Sequence, residues 1–123
     1  MSNLSYEKLY IEEPINVGDV IQLEPKTNKV TRAFNKRHHN IKVIGVCIKI
    51  ENNTIVVANK GMVDVNVTGL FCIGDKLTSS DIPGKARAIR YKQDETQFNI
   101  RSIGKVIELY RTPYVTRVLL DVE

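Results

Sequence analysis

The chain has no tryptophan, two cysteines and two histidines, and none of its apolar runs reaches the ~20 residues that a bilayer-spanning helix needs. Each scarcity excludes something. Two cysteines without further ligands at metal spacing make neither a zinc site nor a disulfide framework. Cys47 and Cys72 both stand among apolar neighbours, Val46-Cys47-Ile48 and Phe71-Cys72-Ile73. Both are therefore expected as buried free thiols, which suits a reducing compartment. His38 and His39 are adjacent. Neighbouring side chains of an extended chain point to opposite faces, so the two form no chelating pair, and no Asp, Glu or Cys cluster surrounds them. Ser79-Ser80-Asp81 lacks a Gly-x-Ser-x-Gly elbow and has only those histidines as a base, so it reads as a turn whose side chains bond their own backbone. Gly18-Asp19 and Gly74-Asp75 hold single glycines, not a phosphate-binding loop, and an Asp after Gly at a strand start is turn chemistry. Residues 1–13, MSNLSYEKLYIEE, lack the basic start and apolar centre of a secretory signal, so the Asn52-Asn53-Thr54 and Asn66-Val67-Thr68 glycosylation patterns are chance matches. The expectation is a non-enzymatic protein with no cofactor and no metal, not associated with membrane.

What is present is β pattern and turn chemistry. Hydrophobic residues make up 42% and charged residues 26%, which is ordinary for a globular chain. Met62–Ile89 is the most informative stretch. Val63, Val65 and Val67 alternate with Asp64, Asn66 and Thr68, as in a half-buried strand. Gly74-Asp75, Thr78–Asp81 and Pro83-Gly84 then turn the chain repeatedly. Elsewhere, Pro25–Asn28 reads as a turn between strands at Val17–Leu23 and Lys29–Phe34. Lys42–Ile50 is apolar enough for a central strand, with Gly45 marking a bulge or close packing. Asn52-Asn53 suits a two-residue hairpin to Thr54–Ala58. Gln97–Leu109 and Val115–Val122 complete the set. Nothing carries a three-turn amphipathic helix. The fold class is all-β, a small barrel or sandwich with little or no helix.

The same signals recur in order. Val17-Gly18-Asp19-Val20-Ile21 matches Ile73-Gly74-Asp75-Lys76-Leu77. Ala33 answers Ala88, Val43–Val46 answers Ser102–Val106 through Gly45 and Gly104, and Thr54–Ala58 answers Thr116–Leu120. Two copies of one four-strand unit are expected, about 14–61 and 62–123, related by a near two-fold rotation. A lone half of ~60 residues would bury only ~60% of its unfolded surface, so the halves share one domain, 14–123.

Residues 1–13 are expected as an N-terminal extended arm, or alternatively a short helical turn. The arm carries Leu4, Tyr6, Leu9, Tyr10 and Ile11, which are candidate subunit contacts. Charge is unevenly placed within a net +4. Lys26, Lys29, Arg32, Lys36, Arg37 and Lys42 follow one another with no acid between them, whereas the first 25 residues hold Glu7, Glu12, Glu13, Asp19 and Glu24 against Lys8. The basic stretch reads as a solvated loop, or as a surface for an acidic subunit face.

The string V-G-D-V-I-x-L-x-P, then V-I-G-V, G-M-V-D-V-N-V-T-G, I-G-D-K-L-T-S-S-D-I-P-G-K-A and I-G-K-V-I-E, spans Val17 to about Val122. It resembles a β-rich module of bacteriophage tail fibres and related virion appendages. The most specific part is Val65–Ala86, V-x-V-T-G followed by G-D-x-L-T-S-S-x-x-P-G-x-A. The resemblance implies a virion structural protein, assembled in the bacterial cytoplasm, commonly a homotrimer, in contact with other virion proteins and without catalysis. Some related fibre-tip modules cleave themselves from a trimerising chaperone. This chain ends at Glu123 with its last strand, so self-cleavage is not expected. The same architecture is similar to phage capsid decoration proteins, a second reading. A third is a small-barrel nucleic-acid-binding protein using the 26–42 stretch, whose one aromatic is Phe34.

Overall fold

The computed structural model describes residues 3–34, 42–89 and 101–122. Ten strands follow one another: β1 (Asn3–Glu7), β2 (Val20–Glu24), β3 (Lys29–Arg32), β4 (Val43–Glu51), β5 (Thr54–Ala58), β6 (Lys60–Asn66), β7 (Lys76–Ser79), β8 (Ala86–Ala88), β9 (Gly104–Leu109) and β10 (Val115–Asp121). No helix occurs among the described residues. The strands form two five-stranded antiparallel sheets, β1-β5-β4-β2-β3 and β6-β10-β9-β7-β8. The assembly is sandwich-like and neither sheet closes into a barrel.

The second sheet repeats the first strand for strand, five places on. The hydrogen bonds repeat too. Gly18 N donates to Cys47 O and Cys47 N to Asp19 O, as Gly74 N donates to Val106 O and Val106 N to Asp75 O. A lone parallel bridge curls each sheet, Lys8 to Val30 in the first and Val67 to Ala86 in the second. The longest strand of the first sheet and its counterpart both carry a bulge, between Cys47 and Lys49 on β4 and opposite the Arg117/Val118 step on β9. A second irregularity lies beside Gly45, between the pairs Ile21–Gly45 and Gln22–Val43.

Three details correct the sequence-based alignment of the halves. First, residues 3–13, the described part of the expected arm, do not stand apart. Asn3–Glu7 pairs along its length with β5, Asn3 opposite Ala58 and Glu7 opposite Thr54, and is the counterpart of β6. The units are therefore β1–β5 and β6–β10. Second, the partner of Ala33 is Ile89, since their amides donate to Val20 O and Lys76 O at matching places. Third, Thr54 matches Val115, not Thr116, because Val57 and Val118 hold the same place against Gly45 and Gly104.

Turn chemistry acts where expected. Asn28 and Asn52 adopt φ of 57° and 54°, the left-handed region that Asn tolerates, and close the β2–β3 and β4–β5 hairpins. The strand expected over Gln97–Leu109 is Gly104–Leu109; residues 97–100 lie outside the described residues.

Alternation divides the core. Ile15, Ile21, Val30, Cys47, Ile55 and Val57 form one buried cluster inside the first half, with Tyr6, Leu23 and Ile44 against it. Their neighbours on the opposite face, Val20, Val46 and Ala58, join Ala33 and the second half's Val65, Val67, Leu77, Val106, Val118 and Leu120 in a second cluster. Each fully buried Val or Ile stabilises the fold by about 1.5–3 kcal/mol relative to exposure. The four first-half residues in that second cluster have counterparts Lys76, Ile89, Lys105 and Leu119, none of which belongs to it. A two-fold relation would bury both sets. The halves instead meet head to tail, through non-equivalent faces.

Candidate functional site

The turns singled out by sequence converge where the halves join. Asp19 follows Gly18 and is buried, and its carboxylate accepts from Asn16 N at 2.9 Å and from Asn66 Nδ2 at 2.8 Å. Asn66 also donates to Val17 O at 3.1 Å, and its amide donates to Gly18 O. The Pro83-Gly84 corner fits between β2 and β3: Val20 N donates to Gly84 O at 2.7 Å and Gly84 N to Ala33 O at 2.9 Å. A Cβ on Gly84 would lie 2.8 Å from the Asp19 carboxyl carbon, so the corner approaches this closely only as glycine. The site is a polar latch over an apolar seam. Its ligand-free chemistry is complete: the buried carboxylate has its donors from the chain itself.

Gly74-Asp75 occupies the corresponding place in the second half with a different outcome. Asp75 Oδ2 accepts from Cys72 N at 2.8 Å, repeating the turn. Nothing lies within 4 Å of a Cβ built on Gly74. Gly45 and Gly104 are positions of close strand approach, against Ala58 and Leu119.

The candidate contact residues of the first segment separate. Tyr6 is half-buried on the first core and Leu9 is held by its amide to Val30 O. Leu4, Tyr10 and Ile11 are exposed. The acidic segment also spends part of its charge within the chain, since Glu7 pairs with Lys29 at 3.6 Å and Glu13 with Arg32 at 3.4 Å. These pairs join the two oppositely charged stretches that the sequence suggested for an intersubunit contact. Lys36, Arg37, His38 and His39 lie outside the described residues.

Ser80 is buried, and its hydroxyl bonds Lys85 O at 2.7 Å while accepting from Ile82 N at 3.2 Å, so it stitches the turn it was expected to form. Both thiols are free, but only Cys47 is buried. Cys72 is exposed because it precedes the Gly-Asp turn, the place of Asn16 in the first half; apolar neighbours misled the expectation. Burial, with the Asp19 carboxylate adding to it, pushes the Cys47 thiol up to about 11. Sequence reasoning missed a surface group on β6 and β10. Tyr110 Oη donates to Asp64 at 2.6 Å, which holds the phenol above its ordinary value, and Arg117 stands 3.5 Å from the same carboxylate. No pattern in the sequence brings these three together: the β6–β10 register places Arg117 opposite Asp64, and the connection between β9 and β10 carries Tyr110 to the same carboxylate.

The fold defines a duplicated antiparallel β sandwich joined by an internal latch. Among solved structures, the crystal structure of the bacteriophage phi29 gene product 12 C-terminal fragment is similar to it, with a TM-score of 0.65 and 16% identity over 95% of this chain and 98% of that one. No family model matches the chain, and no curated protein matches it.

Proposed function

We propose that the chain is a non-enzymatic structural protein of a bacteriophage or prophage virion. It serves as a tail-fibre-like or appendage module that mediates assembly or attachment. It acts as a homo-oligomer, a trimer by preference, in contact with other virion proteins, after assembly in the bacterial cytoplasm. The observation that carries this reading is the fold likeness to a phage gene product over nearly the whole of both chains. The motif string of Val65–Ala86, which resembles tail-fibre modules, supports it independently. At the latch the Asn66 side chain bonds both Val17 O and Asp19 across the two halves, which suits a load-carrying module. The nucleic-acid reading is weakened because Lys29 and Arg32 pair with Glu7 and Glu13, which subtracts their charge from any phosphate contact.

The test is antibody labelling of purified virions beside mass spectrometry of their proteins. Label on the tail or its appendages is the expected result. Label on the capsid shell would favour the decoration-protein reading, and absence of the chain from the particle would remove the proposal.

A further inference from the structure

The head-to-tail union of the halves leaves one face of each unit without its internal partner. In the first sheet, the cross-strand row Asn3–Ala58–Val46–Val20–Ala33 lies on the face turned to the second half. Val20, Ala33, Val46 and Ala58 of that row are buried in the shared cluster. The corresponding row of the second sheet is Met62–Leu119–Lys105–Lys76–Ile89. Met62 is 63% exposed, Leu119 49%, and Ile73 at the adjoining turn 63%. This is a band of large apolar side chains flanking two exposed lysines, at the position where the first half is covered.

The complementary face lies at the other end of the molecule. The groups that latch onto the first half are Asn66 and the Gly84 corner. Their first-half counterparts are Glu7 and the Asn28 corner, both at the surface. Beside Glu7 the chain continues through Tyr10, 63% exposed, Ile11, 74% exposed, and exposed Glu12. One end of the molecule thus offers apolar groups with lysines, and the other offers Tyr10 and Ile11 with exposed Glu12, beside a Glu7 that stands 3.6 Å from Lys29.

We infer that copies of this chain associate head to tail, the Met62–Leu119–Lys105–Lys76 row of one copy seating the Glu7–Tyr10–Ile11–Glu12 edge of the next. The contact extends the internal packing from one chain to its neighbour. It is not an atomic copy of it. An identical latch would set Glu7 against Asp75, where the internal one sets Asn66 against Asp19. Lys76 and Lys105, which replace Val20 and Val46, supply cations at that place beside Asp75, and Glu7 already has Lys29 at 3.6 Å, so neither carboxylate is left unopposed. A heterologous contact of this kind closes into a ring when the rotation between copies permits. The inference rests on the homo-oligomer in the proposed function and names its surfaces.

The experiment is sedimentation equilibrium on the full chain, on Leu119→Asp and on Ile11→Asp. Both substitutions fall on exposed side chains, and circular dichroism checks that the β signal is kept. The wild type is expected as an oligomer, and each variant as a species of the single-chain mass, 14.0 kDa. The deciding sample mixes the two variants. A head-to-tail pair retains one intact contact, so the mixture is expected to form a dimer that neither variant forms alone. A mixture that stays monomeric would overturn the inference in favour of a self-complementary contact. An oligomer that survives both substitutions would overturn it while leaving the homo-oligomer standing, and a monomeric wild type would remove both.

Discussion

Gly45 and Gly104 occupy the same place in the two halves, yet alanine should cost more at one than at the other. At Gly104 the backbone is ordinary, and an added Cβ would lie 2.5 Å from Leu119 O and 2.7 Å from Val118 Cγ1. Relieving that overlap means parting β9 from β10, an overpacking cost of about 1–3 kcal/mol. At Gly45 the Cβ would overlap Ala58 O and lie 2.7 Å from Val57 Cγ1, and φ is also +154°. The disfavoured dihedral adds ~1–2 kcal/mol for a residue with a side chain. Gly74 isolates this second term, since φ is +94° and nothing lies within 4 Å of its Cβ. Gly74→Ala should therefore cost ~1–2 kcal/mol, Gly104→Ala about 1–3, and Gly45→Ala roughly their sum, about 2–5 kcal/mol. A small domain has only ~5–15 kcal/mol to lose, so Gly45→Ala approaches the limit of folding. Urea unfolding followed by far-ultraviolet circular dichroism measures all three through the shift in midpoint. If Gly45→Ala lost no more than Gly74→Ala, the close approach of β4 to β5 would not be what fixes this glycine.

Three further outcomes follow from the same geometry. Asn66→Ala removes one of the two donors of buried Asp19 and should lower stability by about 1.5–3 kcal/mol, with the loss read in the same urea titration; no change would mean the latch contributes nothing. Cys47 stays protonated in the folded chain up to about 11, against 9.0 for the free thiol, so below pH 9 its contribution is constant and between about 9 and 11 stability falls as the unfolded chain ionises first. Cys47→Ala should remove that part of the slope, and a wild-type curve parallel to the variant's would refute the burial argument. Duplex DNA should bind negligibly at physiological salt; tight binding that weakens with slope ≈ −0.9 per phosphate contact, and is abolished by Lys36→Glu with Arg37→Glu, would reverse the ranking of functions.

The all-β class and the duplication were legible because both are written in local chemistry. Gly-Asp turns, Asn at left-handed positions and period-two alternation each need particular residues, and they recur in order. The alignment slipped where unlike residues do the same work. Thr116 is fully buried at the place of Ile55, which its hydroxyl permits by donating to Glu108 O at 2.6 Å. Matching threonine to threonine therefore moved β10 by one residue, and in a strand one residue exchanges the two faces. β1 was misread as an arm because an edge strand keeps most of its side chains in water and only Tyr6 reaches the core. The latch was half visible. Asp19 and Gly84 were named as turns, but their meeting depends on how one half is set against the other, and no residue pattern encodes that orientation. The assumption of two-fold packing failed for the same reason: Lys76 and Lys105 stand where the first half has Val20 and Val46.

Each sheet draws all its strands from one continuous stretch, and only Asn59 lies between β5 and β6. This fixes an order of birth. During synthesis the first five strands leave the ribosome before the second five, and until those follow, Val20, Ala33, Val46 and Ala58 have no partner to cover them. Nascent chains on one messenger are crowded, and an apolar face of this kind is the surface through which they would stick to each other. The second half is the remedy. Tied on by a single residue, it reaches that face at the high effective concentration of an attached segment, ahead of any neighbour. The carboxy-terminal half thus shields the amino-terminal one from its neighbours by the same contact that completes the fold.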